Sequence, residues 1–310
     1  MKGKHLIAIA DFSRDEVLQI FEESELLKGE MRQGIFRELL KHRTLAMIFE
    51  KPSARTRMSF EVGVNQLGGK AMYISKDEIK MGVRESIADV ARTTCRYADA
   101  VMIRTFAHAT ILEFAKHATV PVVNGLSDYN HPCQGLADLF TFREKTGGLA
   151  GKTLAFVGDG NNVARSLAVA CVKLGVTMRI ASPPGYELSK EFLKHLAGLP
   201  EYRDGIVKQL HDAGKAVAGA DAVYTDVWAS MGQEAEAEAR KKAFAAYQVN
   251  AKLMKQAAPE AVFLHCLPAR RGEEVTDEVI DGPQSAVFDQ AENRMHVQKG
   301  VIVLLMGAEG

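Results

Sequence analysis

The segment LAFVGDGNNVARSLAVACVKLGVTMRIA, residues 154–181, decides the fold. Its first four residues are apolar and β-prone and run into a glycine-rich turn. Beyond the turn, Val163, Leu167, Ala170 and Leu174 recur at helical spacing, and Gly175 stands where a left-handed cap closes a helix. A second β-prone run, 178–181, follows directly. Strand, helix and strand in such short succession predict a parallel pair, because parallel strands need a crossover between their ends.

The same alternation extends outward. β-prone runs recur at 45–49, 71–74, 100–103 and 120–123 on one side and at 222–225 and 262–265 on the other, with helical patterns between. This predicts the α/β class, with doubly wound parallel sheets. The chain has 310 residues, 47% of them hydrophobic, which suits two domains each with its own core. The glycine-rich stretch 146–152 follows a helical pattern at 132–145 and is the expected junction. Domains are therefore expected at 1–145 and 146–289. In the closing segment, 290–310, Met295, Val297, Val301, Ile302 and Leu305 fall roughly on one helical face, which could pack back on either domain. The charged, alanine-rich run 233–246 reads as an exposed helix or a mobile lid.

Lys plus Arg and Asp plus Glu number 39 each, so no net field draws the chain to nucleic acid or to a membrane surface. Cys95, Cys133, Cys171 and Cys266 are widely spaced, which argues against a zinc site and a disulfide framework and fits a reducing compartment. The start has no long apolar stretch, and no segment approaches the ~20 apolar residues of a membrane span. A cytoplasmic location is expected.

Four loops, each next to a strand end or a helix start, carry chemistry. In Glu50-Lys51-Pro52-Ser53-Ala54-Arg55-Thr56-Arg57, two arginines and two hydroxyls crowd a helix start, where unpaired N–H groups and the positive end of the dipole favour an anion. A capped helix with surface arginines is the plainer alternative. In His131-Pro132-Cys133-Gln134, Pro132 suits the first helical position; the His can polarise a carbonyl oxygen and the Gln can accept from an amide nitrogen. A lone His is more often structural. Asp226-Val227-Trp228-Ala229-Ser230-Met231-Gly232 follows a strand and offers an anion for an amine, or else an Asx turn beside a buried Trp. Leu264-His265-Cys266-Leu267-Pro268 ends a strand where ligand loops of open parallel sheets lie, although Cys266 alone could be core packing. The turn 157–163 imitates a dinucleotide fingerprint, but Val163 replaces its third glycine and the next strand end, Ser182-Pro183, lacks an acidic residue. A polar substrate against Asn162 suits it better.

Together these loops closely resemble, in residues, order and spacing, the signature set of the ornithine carbamoyltransferase family, from about Leu45 to the C-terminus. Ser230-Met231-Gly232 after an Asp is the element that separates ornithine from aspartate enzymes. The resemblance implies transfer of a carbamoyl group from carbamoyl phosphate to the side-chain amine of L-ornithine, giving L-citrulline and phosphate, as in arginine biosynthesis and urea-cycle chemistry. It also implies two α/β domains with an active-site cleft between them, a C-terminal helix returning to the first domain, a homotrimer, and no cofactor or metal. On that likeness Ser53, Ala54, Arg55, Thr56, Arg104 and Arg294 hold the phosphate. His131 and Gln134 bind the carbamoyl oxygen and nitrogen, and main-chain carbonyls around Cys266 and Leu267 take the nitrogen's other proton. Asn162, Asp226, Ser230 and Met231 hold ornithine, and Arg104, His131 and Cys266 are the catalytic set. Arg57 matches the motif's last arginine, with its role open between pinning the loop and touching ligand.

This chain departs from the pattern at two places. Ala54 stands where Thr is usual, losing a hydroxyl but keeping the backbone N–H. Lys80 stands where many members have Gln, in a polar segment that reads as a mobile loop. In the wider family that loop reaches a neighbouring subunit's site, so Lys80 is expected to touch phosphate there, against the alternative of a solvated charge. Two rivals stay open: carbamoyl transfer to another amine, such as putrescine or a modified ornithine, and a nucleotide-binding regulatory protein.

Overall fold

The computed structural model describes residues 1–229 and 234–308, so Ser230 and Met231, with Gly232, lie outside the described residues. Thr44–Phe49 (β1), Lys70–Ser75 (β2), Ala100–Arg104 (β3) and Val122–Leu126 (β4) form one parallel sheet in the order β2-β1-β3-β4. Thr153–Val157 (β5), Thr177–Ala181 (β6), Val207–Leu210 (β7), Ala222–Thr225 (β8) and Val262–His265 (β9) form a second, in the order β7-β6-β5-β8-β9. β3 is buried along its whole length and β1 from its second residue on. Strands covered on both faces read this way, as near-continuous apolar runs rather than alternation. In each sheet the strand order reverses direction beside a central strand, β1 and β5, which is where open α/β sheets bind ligands.

The chain forms two compact units, 1–136 with 294–310, and 137–293. It passes from one to the other inside two helices, Pro132–Thr146 and Val287–Met306. The glycines of 146–152 make a turn, with Gly147 and Gly151 at φ 70 and 71. In the first unit, Ala46, Ile48, Val101, Ile103 and Val122 pack with Val90, Ala91, Ile111 and Phe114 from the flanking helices. In the second, Ala155, Val157, Val223 and Phe263 pack with Ala216, Val217, Trp228 and Phe244.

Helix Asn162–Leu174 follows the deciding segment closely: Asn161 caps it, accepting from Val163 and Ala164 N–H, and Gly175 closes it at φ 73. Three elements differ from the sequence reading. β7 was not expected, because its Val-Lys-Gln-Leu is an edge strand with no fully buried residue and shows no apolar run. β4 starts at Val122 rather than at 120, since Pro121 has no N–H for the ladder and only its carbonyl serves, accepting from Val101 N at 2.9 Å. Within 233–246 the described part holds a helix, Ala237–Phe244, with one anchored face: Phe244 and Arg240 are buried. Segment 76–86 is an ordered turn. Ser75 N donates to Glu78 at 2.7 Å ahead of a one-turn helix, Lys76–Ile79, and Lys80 ends it in the left-handed region at φ 42. Among the described residues no helix is long and apolar enough to cross a membrane.

Candidate active site

The first unit gathers its functional groups at the carboxyl ends of β1, β3 and β4. Ser53 caps helix Ala54–Gln66, its hydroxyl accepting from Thr56 N at 3.3 Å and donating to Thr56 Oγ1 at 3.2 Å. The buried Thr56 hydroxyl also accepts from Arg294 Nη2 at 2.9 Å and from Arg104 Nη1 at 3.5 Å. One oxygen thus orients two buried guanidiniums, Arg104 from the last position of β3 and Arg294 from the C-terminal helix. Glu50 and Lys51 N–H both donate to the Arg104 carbonyl, at 2.9 and 3.2 Å, which clips the loop to the end of β3. Ala54 is exposed and Arg55 half-buried beside this hub.

His131 and Gln134 lie at the start of helix Pro132–Thr146, both buried. Burial, then the charges of Arg294, Arg104 and Lys51, hold the His131 imidazole well below its ordinary pKa. At neutral pH it is therefore an uncharged ring with one N–H to donate. Cys133 turns away from this chemistry: its thiol donates to Asn124 O at 3.6 Å, and burial pushes its pKa up to about 12. Arg57 faces outward, pairing with Glu61 at 3.0 Å and lying over Tyr73, so it braces the helix surface. Lys80 is exposed on its own turn.

The second unit gathers groups after β5, β8 and β9. Asp226 is buried, and each oxygen is occupied: Oδ2 accepts from Asn161 Nδ2 at 2.8 Å, and Oδ1 accepts from Val227 N at 2.8 Å and Cys266 Sγ at 3.0 Å. Burial, the Asp226 charge and this bond push the Cys266 thiol well above its ordinary value, so Cys266 is a proton donor here rather than a thiolate. Asn162, half-buried, starts the helix that Asn161 caps. Leu267 sits at φ 59, ahead of a cis Leu267-Pro268 bond, and its N–H donates to His265 Nδ1 at 2.9 Å. His265 Nε2 faces Glu274 at 3.1 Å, both side chains fully buried.

Asn161 and His265 hydrogen-bond to groups of the candidate site, and the sequence reading assigned neither a role of its own. Asn161 shows its signal as an N-cap after a turn, and His265 by preceding the cysteine at a strand end. Asp226, His265 and Cys266 also place ligand-type atoms within 4.8 Å of one another. The hydrogen bonds above already engage both ring nitrogens of His265 and the thiol proton of Cys266.

The glycine turn after β5 is filled by protein. Gly160 N donates to Tyr186 O at 2.7 Å, and a Cβ on Gly160 would lie 2.5 Å from the Glu187 backbone. Ser182 Oγ donates to Gly158 O, and Arg240 pairs with Asp159 at 2.7 Å.

Comparison with known proteins covers nearly the whole chain. Residues 4–144 match the family model described as aspartate/ornithine carbamoyltransferase, carbamoyl-P binding domain, and residues 150–305 the model described as its Asp/Orn binding domain. The chain is 53% identical over 306 residues to the ornithine carbamoyltransferase of Symbiobacterium thermophilum, covering 99% of each. It is 50% identical to the Pyrococcus furiosus protein named ornithine carbamoyltransferase, anabolic, covering 99% of this chain and 98% of that one. The solved structure of ornithine carbamoyltransferase from P. furiosus superimposes with a TM-score of 0.96 over 100% of this chain and 99% of that one. That of the anabolic enzyme from Campylobacter jejuni does so with 0.92 over 100% of both, at 36% identity.

Proposed function

The chain belongs to the aspartate/ornithine carbamoyltransferase family, and on that premise we propose that it transfers the carbamoyl group of carbamoyl phosphate to the side-chain amine of L-ornithine. The products are L-citrulline and phosphate. Relatives named anabolic favour the synthetic direction, as a step of arginine biosynthesis.

The observation that carries the reading is the Thr56 hydroxyl held by two buried arginines at a helix start, beside an uncharged histidine. We assign Ser53, the Ala54 N–H, Arg55, Thr56, Arg104 and Arg294 to the phosphate, and His131 and Gln134 to the carbamoyl group. When the amine attacks the carbonyl carbon, the carbonyl π pair moves onto oxygen. His131, Arg104 and Thr56 donate to that oxygen. The tetrahedral centre then collapses, the C–O bond to phosphate breaks, and the phosphate leaves onto the arginines with its electron pair. The attacking nitrogen loses its proton to solvent or phosphate.

The amine must first be neutral, which for a group of pKa ~10.4 costs roughly 4.6 kcal/mol at pH 7. Asp226 is an anion and favours an ammonium, so its role is to orient ornithine rather than to deprotonate it. Asn161 and the Cys266 thiol fix that carboxylate in turn. We assign Asn162, Ser230 and Met231 to ornithine as well, and the Cys266 and Leu267 carbonyls to a substrate N–H.

We further propose a homotrimer, with Lys80 supplying a charge to a neighbouring copy, and a cytoplasmic location, which suits four unpaired cysteines. The test is citrulline formation from carbamoyl phosphate with ornithine, run beside putrescine and aspartate as acceptors. No product with ornithine sinks the reading, and a preference for another amine corrects the acceptor. Calorimetric binding of NAD would revive the nucleotide rival.

A further inference from the structure

The backbone N–H of His265, the last residue of β9, is satisfied by a side chain and not by a neighbouring strand. Earlier on the outer edge of β9, backbone groups serve: Phe263 N donates to Gln284 O at 2.8 Å, and Ala286 N to Phe263 O at 2.9 Å. At His265 the acceptor is Gln290 Oε1, 2.8 Å away, at the start of the C-terminal helix. Gln290 Nε2 donates in turn to Asp138 Oδ1 at 2.6 Å, and both residues are fully buried. A carboxylate only accepts and a backbone N–H only donates, so the amide has one possible orientation. The order continues through the ring of His265, which accepts from Leu267 N, the residue held at φ 59. Asp138 is also felt electrostatically at Cys266, where it helps keep the thiol protonated.

We propose that Gln290, oriented by Asp138, is a positioning residue for the Cys266–Leu267 turn, fixing the main-chain groups through which that turn meets substrate. The inference rests on the reading of that turn given under Proposed function.

Replacing Gln290 by Glu gives a test that packing alone would not move. A protonated carboxyl reproduces both roles, its O–H donating to Asp138 and its carbonyl accepting from His265 N. Once ionised, it cannot donate and meets the Asp138 carboxylate. The titratable groups nearby are Asp138 and Glu144 on one helix, Tyr224, His265 and Cys266 at the strand ends, Glu274, and the Lys145–Asp289 pair. Asp138 is the group in direct contact, so the introduced acid keeps its proton well above the ordinary ~4.3. Citrulline formation by Gln290→Glu should approach the wild-type rate at pH 6 and fall about tenfold below it by pH 9, the cost of one buried bond lost. In the double variant Asp138→Asn with Gln290→Glu, the ionised carboxylate can accept from both the amide and His265 N, and activity at pH 9 should return. Gln290→Met, which cannot ionise, should lose about tenfold in kcat at every pH, while calorimetric affinity for inorganic phosphate stays within about twofold. Wild-type enzyme that makes no citrulline would remove the functional reading itself. Active wild type with a superimposable pH profile in Gln290→Glu, no recovery in the double variant, or an unchanged kcat in Gln290→Met overturns this inference alone.

Discussion

At the residue scale the candidate site of the first unit depends on charge held out of water. Among the described residues Arg55 has no ion pair, whereas the neighbouring Arg57 is committed to Glu61 and Tyr73. Arg55→Ala should therefore remove a charge-assisted contact to phosphate, costing on the order of 2–4 kcal/mol in turnover, with the melting temperature little changed. Steady-state kinetics on the folded variant would check it, and unchanged kcat/KM for carbamoyl phosphate would sink the phosphate-loop assignment. His131 predicts a pH effect on stability. Its folded pKa lies below its unfolded value of 6.5, so below that pH the unfolded chain binds a proton that the folded site refuses. Stability conferred by a neutral His131 is thus fully present above pH 6.5 and declines as pH falls through it. Urea titrations from pH 8 to pH 5 should show a steeper loss in wild type than in His131→Gln, and parallel curves would contradict the buried, neutral ring.

At the element scale, the same residue often ends a strand, caps a helix and presents a polar group. Asn161 caps helix Asn162–Leu174 through its oxygen and holds Asp226 through its nitrogen. The two roles separate by substitution. Asn161→Ser keeps an N-cap acceptor but loses the donor to Asp226, so stability should change by a few tenths of a kcal/mol while the KM for ornithine rises. Asn161→Ala should add a loss of about 1 kcal/mol in stability. Denaturant melts and ornithine titrations distinguish these, and an unaltered ornithine KM in both variants would detach Asn161 from the site. The sequence disclosed this helix and its Gly175 end, because periodicity and capping are local, but not the link from Asn161 to Asp226, which lies 65 positions away. It disclosed β8 and β9 to the residue, since both are short, largely apolar runs, and it passed over β7, an edge strand whose central residues, Lys208 and Gln209, are polar. The four candidate loops stood out because each follows a strand or opens a helix. The links that orient them, Thr56 to Arg294 and Asp226 to Cys266, join residues 238 and 40 positions apart and needed the fold.

At the scale of the whole molecule, the first unit leaves several large apolar side chains exposed. Met58 and Val62, one turn apart on helix Ala54–Gln66, are 57% and 43% exposed, Met72 on the edge strand β2 is 41% exposed, and Val83 beside Lys80 is 87% exposed. Side chains of this kind favour cover by another chain. The proposed trimer would sediment at three times the 33.9 kDa of one chain, and a monomer mass at assay concentration would remove it. Lys80 gives the assembly a functional test. Its ammonium stands exposed where a one-turn helix ends in the left-handed region. A point charge on a flexible stem tolerates imprecise placement, which suits delivery to phosphate from a separate loop. If Lys80 serves a neighbouring copy, Lys80→Ala and Arg55→Ala enzymes fail at different parts of one composite site. Mixing the two trimers under conditions that exchange subunits should then create sites with Lys80 from one chain and Arg55 from another. Citrulline formation should rise above the sum of the separate variants as exchange, followed by mass spectrometry of differently tagged chains, proceeds. Verified exchange without recovery, or normal carbamoyl phosphate affinity in Lys80→Ala, would return Lys80 to the role of a solvated charge.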